Sequence, residues 1–165
     1  TMRSIRKATL DDCALIRTLA CICFPDTYEK ILEEEQIDYM MDWMYSLPSL
    51  RQQMQDGHHY YIVYEDDDPV GYASFQQEKE DLFHLQKIYL MPEAQGVGLG
   101  TYLWKHILRE IKTLQPAPCR LELNVNRQNK AVKFYEKMGM KKDRQGDFPI
   151  GEGFYMNDYI MTINI

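Results

Sequence analysis

Five apolar residues, Leu99, Leu103, Ile107, Ile111 and Leu114, recur at near-helical spacing, with Lys105, Arg109 and Lys112 off their face. The pattern predicts an amphipathic helix over residues 99–114, stopped by Pro116 and Pro118. Residues 120–125 alternate apolar and polar, as a half-buried strand does. Residues 131–138 read as a second amphipathic helix, closed by Gly139. Upstream, residues 2–7 read as a first strand, and Thr9 ahead of Asp11 and Asp12 as a helix N-cap. Leu15, Ile16, Leu19 and Ile22 carry that helix to an expected end near Phe24-Pro25. A second helical region covers residues 28–44, with apolar Ile31, Ile37, Met40, Met41 and Met44, and a further short helix after Pro48 reaches Asp56-Gly57. Residues 58–64 and 70–76 are β-rich. The turn residues Asp66-Asp67-Asp68-Pro69 join them into a hairpin. Strands are also predicted over 82–90 and 154–163, the latter preceded by a hairpin through 141–153. The main elements run β-α-α-β-β-β-α-β-α-β-β, an α/β chain.

The strand over 82–90 runs almost directly into the helix over 99–114, and the link contains Gln95-Gly96-Val97-Gly98-Leu99-Gly100-Thr101. The first N–H groups of a helix lack internal partners, and the helix dipole adds partial positive charge there. Glycines let a phosphate approach the backbone closely. Strand, glycine turn and helix start together make an anion site. A dinucleotide-binding G-x-G-x-x-G fails, because Thr101 or Leu103 stands where the last glycine belongs. A Walker loop fails for want of Gly-Lys-Ser/Thr. The pattern that fits is [QR]-x-x-G-x-[GA], filled by Gln95, Gly98 and Gly100.

This turn resembles the pyrophosphate-binding motif of the GNAT superfamily, the acetyl-CoA-dependent N-acetyltransferases. A second block, residues 124–140, is similar to the family's asparagine, alanine, Phe-Tyr-Glu-Lys and Gly-Phe pattern. Met140 replaces the usual phenylalanine, and Asn129 lies six residues before Tyr135 where many members have seven. The order of elements agrees with the GNAT fold over residues 2–163. The resemblance implies one N-acetyltransferase domain over residues 1–165, with a mixed, strongly twisted sheet, helices on both faces, and acetyl-CoA as co-substrate.

It also implies roles. Gln95, Gly96, Val97, Gly98, Leu99, Gly100 and Thr101 would hold the pyrophosphate, with Lys137 facing a phosphate. Ile88, Tyr89 and Leu90 would pair with the pantetheine as an added strand does, and an N–H near Leu90 would hold the thioester oxygen. Asn129 would steady the pantetheine arm. Tyr135 would protonate the departing thiolate; the plain alternative is a core aromatic beside Phe134. His84 stands where many relatives carry a glutamate on this strand and is the candidate base, because histidine titrates near neutrality. The alternatives are a hydrogen-bonded structural histidine, or Glu78 or Glu122 as base. The stretch from Phe24 to Tyr45 looks similar to bacterial spermidine/spermine acetyltransferases. Phe24, Tyr28, Met40 and Met44 are the expected acceptor contacts, with Glu33, Glu34, Glu35 and Asp38 beside them. An ordinary amphipathic helix with a solvated acidic face is the simpler reading of that stretch.

Composition changes this picture little. The 165 residues suit one domain, and 45% hydrophobic with 27% charged residues is ordinary for a globular protein. A net charge of −6 argues against a nucleic-acid partner and is compatible with a cationic acceptor. No run spans a membrane and the first residues show no signal-peptide core. Cys13, Cys21, Cys23 and Cys119 form no C-x-x-C pair and read as buried reduced thiols, which favours the cytoplasm. No His/Cys cluster has metal spacing. The expected acceptor is a small-molecule primary amine, such as a polyamine. The alternatives are a protein or peptide N-terminus, or a non-catalytic CoA-binding sensor. A homodimer is left open.

Overall fold

A computed structural model describes residues 1–165. In chain order the elements are β1 (Arg3–Lys7), α1 (Cys13–Tyr28), α2 (Glu34–Tyr45), α3 (Leu47–Gln55), β2 (His58–Glu65), β3 (Asp68–Lys79), β4 (Leu82–Leu90), α4 (Leu99–Leu114), β5 (Arg120–Asn126), α5 (Ala131–Lys137), β6 (Lys141–Gly151) and β7 (Phe154–Asn164). The seven strands form one sheet in the order β1-β2-β3-β4-β5-β7-β6. Every neighbouring pair is antiparallel except β4 and β5, which are parallel. The sheet is therefore mixed.

Each face of the sheet carries its own core. On one side α4 sets Leu99, Leu103, Trp104, Ile107 and Ile111 against Phe75, Phe83, Leu85, Leu121 and Leu123, and α5 adds Val132 and Tyr135. On the other, α1 sets Ile16, Leu19, Cys23 and Phe24 against Tyr60, Ile62 and Tyr72, with Ile37 and Met40 of α2 and Leu50 of α3 around them. The helix period on α4 and the strand alternation on β2 and β5 thus meet face to face, which is what buries both. No helix is long and apolar enough to cross a membrane.

Several expectations need correction. α1 continues through Pro25 to Tyr28. Proline costs a helix one N–H bond, to the carbonyl four residues back. Here that residue is Cys21, which is exposed, so water can take the bond. Cys21 is accordingly not the buried thiol expected, whereas Cys13, Cys23 and Cys119 are buried, and all four are free. The predicted helix over 28–44 begins only at Glu34, with Glu33 as an extended N-cap. Its acids Glu34 and Glu35 occupy the first turn, where the helix dipole favours negative charge. The short helix after Pro48 is a full element, α3, capped by the Ser46 hydroxyl.

Candidate active site

β4 and β5 pair only through Leu82–Arg120, Phe83–Leu121 and His84–Glu122. Beyond that the strands part, and a cavity of about 450 Å³ opens between them. That volume is of the size that holds a small ligand or cofactor arm. β4 contributes Ile88, Tyr89 and Leu90 to its walls, and β5 contributes Asn124 and Val125. The edge of β4 that faces β5 is left without a ladder here, while β3 still pairs with the other edge as far as Leu90. Gly71 permits that last pairing, since a Cβ there would stand 2.5 Å from the Tyr89 carbonyl oxygen.

One end of the cavity is the glycine turn, through Gln95, Gly96, Gly98, Gly100 and Thr101. Gly98 is the N-cap of α4 at φ 83, in the left-handed region, and makes no side-chain cap bond. The first N–H groups of a 16-residue helix are therefore left uncapped by any side chain at the cavity. Lys130 and Lys137 line the same space. Uncapped amides, a close-approach turn and two ammonium groups fit an anionic pyrophosphate, and the bare edge of β4 fits an amide-bearing arm. Val97 and Leu99 do not line the cavity. Val97 is exposed, and its carbonyl is bound by the Arg3 guanidinium. The Leu99 side chain is fully buried in the core, so only its backbone serves the turn.

α5 supplies Ala131, Phe134 and Tyr135 to the opposite wall. Asn129 also lines the cavity, and its Oδ1 accepts the Ala131 N–H at 2.9 Å, fixing the start of α5. The Tyr135 ring packs against Trp104 and Phe134. Burial raises its pKa, with the nearby Tyr28 phenol adding to the effect. The phenol thus keeps its proton throughout the neutral range. Tyr28 and Tyr89 also reach the cavity, with their hydroxyls 3.4 Å apart, and burial raises both.

The other expected residues fall elsewhere. His84 lies at the closed end of the split and does not line the cavity. Its Nδ1 is 3.5 Å from Glu78, and burial lowers its pKa while Glu78 and Glu122 oppose that. Glu122 is held by Arg120 at 3.1 Å and Arg144 at 3.3 Å. Of the expected acceptor contacts, only Tyr28 lines the cavity. Phe24 is buried among the Tyr28, Tyr45 and Tyr89 rings. Met40 is buried in the core beneath α2, and Met44 packs half-buried against the same core. Both sit on the apolar stripe of α2, which the sheet attracts more strongly than an open groove can. Sequence reading passed over Thr27, Asn124, Val125, Lys130, Ala131 and Phe134. Asn124 had a signal, since it is the uncharged polar residue on the polar phase of β5 next to the end where that strand leaves β4.

Known proteins bear on this geometry. A family model described as an acetyltransferase (GNAT) domain matches residues 29–161. The peptidyl-lysine N-acetyltransferase YjaB of Salmonella typhimurium is 39% identical over 80 residues, which is 48% of this chain and 47% of that protein. The match thus spans about half the length of this curated relative. Among solved structures, the PaiA N-acetyltransferase of Thermoplasma acidophilum in complex with coenzyme A superposes with a TM-score of 0.82, at 22% identity and full coverage of both chains. The ribosomal-protein-S18-alanine N-acetyltransferase of Escherichia coli superposes with a TM-score of 0.74, at 18% identity, covering 99% of this chain and 94% of that one. With the family model spanning most of its length and the split sheet in place, this chain belongs to the GNAT acetyltransferase family.

Proposed function

We propose that the acetyl group passes directly from acetyl-CoA to a primary amine at the end of a flexible cationic chain, with Tyr135 protonating the departing thiolate. The observation that carries this reading is a buried, protonated phenol on the wall of the same cavity that holds the bare β4 edge and the uncapped start of α4. The turn over residues 95–101 holds the pyrophosphate, with Lys130 and Lys137 adding charge. Ile88, Tyr89 and Leu90 present backbone to the pantetheine, and an N–H near Leu90 faces the thioester oxygen, where it stabilises developing negative charge. The thioester supplies the acetyl group. A neutral amine nitrogen attacks its carbonyl carbon, a C–N bond forms, the C–S bond breaks, the sulfur takes the Tyr135 proton, and the nitrogen gives up one proton that restores the phenol.

The lysine side chain of a peptide is the first acceptor. A relative of 39% identity over half its length carries that activity in its name. The side chains expected to cradle a polyamine, Phe24 and Met40, lie in the core instead. A small polyamine is the second reading, favoured by the exposed acids Glu34, Glu35, Asp38 and Asp42 along α2. The free thiols fit a reducing compartment, and we place the enzyme in the cytoplasm.

The test is free-thiol release with acetyl-CoA and either a neutral lysine peptide or spermidine, with the acetylated atom located by mass spectrometry. The lysine peptide should give the higher kcat/KM, with acetylation at Nζ. A higher value for spermidine would transfer the assignment to the polyamine. No thiol release with any amine, in a protein that binds acetyl-CoA, would leave a sensor module.

A further inference from the structure

No carboxylate lines the cavity, yet an ammonium acceptor must lose a proton before it can attack. Asp158 on β7 is 5% exposed. Its Oδ2 accepts a hydrogen bond from Asn124 Nδ2 at 3.3 Å, and Asn124 is a wall residue of the cavity. Its Oδ1 is buried with no hydrogen-bond partner at all. Buried carboxylate oxygens are normally satisfied, so an orphan beside a reaction cavity calls for a reason. We propose that Asp158 takes the proton of the incoming ammonium group onto Oδ1, through one water in the gap between Asn124 and Tyr28. The proposal rests on N-acetyl transfer at this cavity and applies to either acceptor.

The groups packed around Asp158 leave it free for this. Its side chain has no ion-pair partner, unlike the other acids near the split. From the end of β5, Arg127 donates to the Asp158 backbone carbonyl but commits its other guanidinium nitrogen to Asp147 at 2.8 Å. On β6, Arg144 is held by Glu122 and Asp143. From α1, Tyr28 stands close enough for its phenol to feel the Asp158 charge, and burial keeps that phenol neutral. Burial raises the Asp158 pKa, while the Asn124 bond and the Arg127 charge pull it back. A carboxylate raised in this way is a better proton acceptor at neutral pH than a solvated one.

The protons balance. The ammonium gives one proton to Asp158 and becomes a neutral amine. The amine nitrogen attacks the thioester carbon, the C–S bond breaks, and the thiolate takes the phenolic proton of Tyr135. The nitrogen sheds its second proton as the amide forms, restoring the phenol. Asp158 then returns its proton to solvent. The sum is ammonium plus thioester giving amide, thiol and one proton, with no change of oxidation state.

The experiment compares wild type with Asp158→Asn, using whichever amine wild type turns over. The variant keeps the shape and an acceptor for Asn124. At pH 7 its kcat/KM should fall by about a hundredfold or more, with acetyl-CoA affinity unchanged. The deficit should shrink by up to about tenfold per pH unit towards the acceptor pKa, as solvent supplies free amine. Wild-type activity at pH 7, or a deficit that ignores pH, would overturn the proposal; the latter is what a purely structural role gives. Should Asp158→Asn not fold, Asn124→Ala serves, because loss of the bond that lowers the Asp158 pKa should move the acid limb of kcat/KM upward. An unmoved limb would overturn it. Independently of any acceptor, ¹³C NMR of the Asp158 carboxyl should show it titrating above the ordinary aspartate range. A normal aspartate value would end the proposal without touching the acetyltransferase assignment.

Discussion

Lys87 is an odd side chain to find buried between the sheet and the helices α2 and α3. It is 8% exposed, donates to Gln53 Oε1 at 2.7 Å and Tyr60 Oη at 2.6 Å, and sits over the Tyr45 and Tyr60 rings. Burial pushes its pKa down to about 7. The unfolded chain holds this proton up to the ordinary lysine range, so between about 7 and that range the unfolded state binds more protons. Stability from this site therefore rises with pH across that window and is lost as pH falls back to 7. Lys87→Met should be more stable than wild type at pH 7 by about 1–4 kcal/mol, with the gap closing towards pH 10. Gln53 and Tyr60 stay bonded to each other in its absence. Urea unfolding at both pH values checks this, and a Met variant weaker at pH 7 would contradict it. The position was not legible in the sequence. Simple alternation groups Lys87 with Phe83 and Leu85, but the register of β4 slips between Leu85 and Lys87 and turns Lys87 to the opposite face. The place of Tyr135 on the cavity wall was legible because a whole block of neighbours resembles the family pattern. Asp158 was not, since one acid in a β-rich tail gives no pattern to read.

At the scale of elements, what the chain shows openly is periodicity, and what it hides is where a helix tolerates an exception. Residues 82–90 and 99–114 were expected as strand and helix and are found with those bounds. Both have long unbroken patterns and glycine or proline at their ends. α1 ran past its expected stop because Pro25 falls at a place where the lost bond faces solvent. The parting of β4 from β5 was legible only by resemblance, since no local pattern records which strands fail to pair. The glycine turn between β4 and α4 depends on Gly98 holding φ 83. A side chain in that conformation costs roughly 1–2 kcal/mol, and a branched one more. Gly98→Val should therefore displace the amides that face the cavity and weaken CoA binding more than tenfold, while α4, anchored by Leu103, Trp104 and Ile107, stays folded. Calorimetry with CoA, beside a circular dichroism melt, measures both. Equal affinity in the folded variant would show that the turn does not hold the pyrophosphate.

Across the whole molecule, charge and site disagree in sign. The chain carries −6, yet the charged side chains that line the cavity are Lys130 and Lys137. Screening over about 10 Å at 0.1 M salt makes near charges outweigh distant ones. Acetyl-CoA should bind several-fold more weakly at 0.5 M than at 0.05 M salt, because the local cations are screened. Tighter binding at high salt would mean that the net negative charge governs the encounter. The α/β class followed from element order, while the mixed sheet with helices on both faces followed from the family resemblance, and the single parallel pair among antiparallel neighbours agrees with it. The acceptor side did not follow. Aromatics and methionines on α1 and α2 read alike whether they face a substrate or a core, and here Phe24 and Met40 face the core.

The account turns on Tyr135 as the proton donor to the leaving sulfur, and Tyr135→Phe tests it most directly. The change keeps the ring against Trp104 and Phe134 and removes only the hydroxyl. Single-turnover acetyl transfer to a lysine peptide should slow by about ten- to a thousandfold, while acetyl-CoA affinity by calorimetry stays at the wild-type value. An unchanged transfer rate in the phenylalanine variant would contradict the assignment and leave the thiolate to be protonated by water or another group.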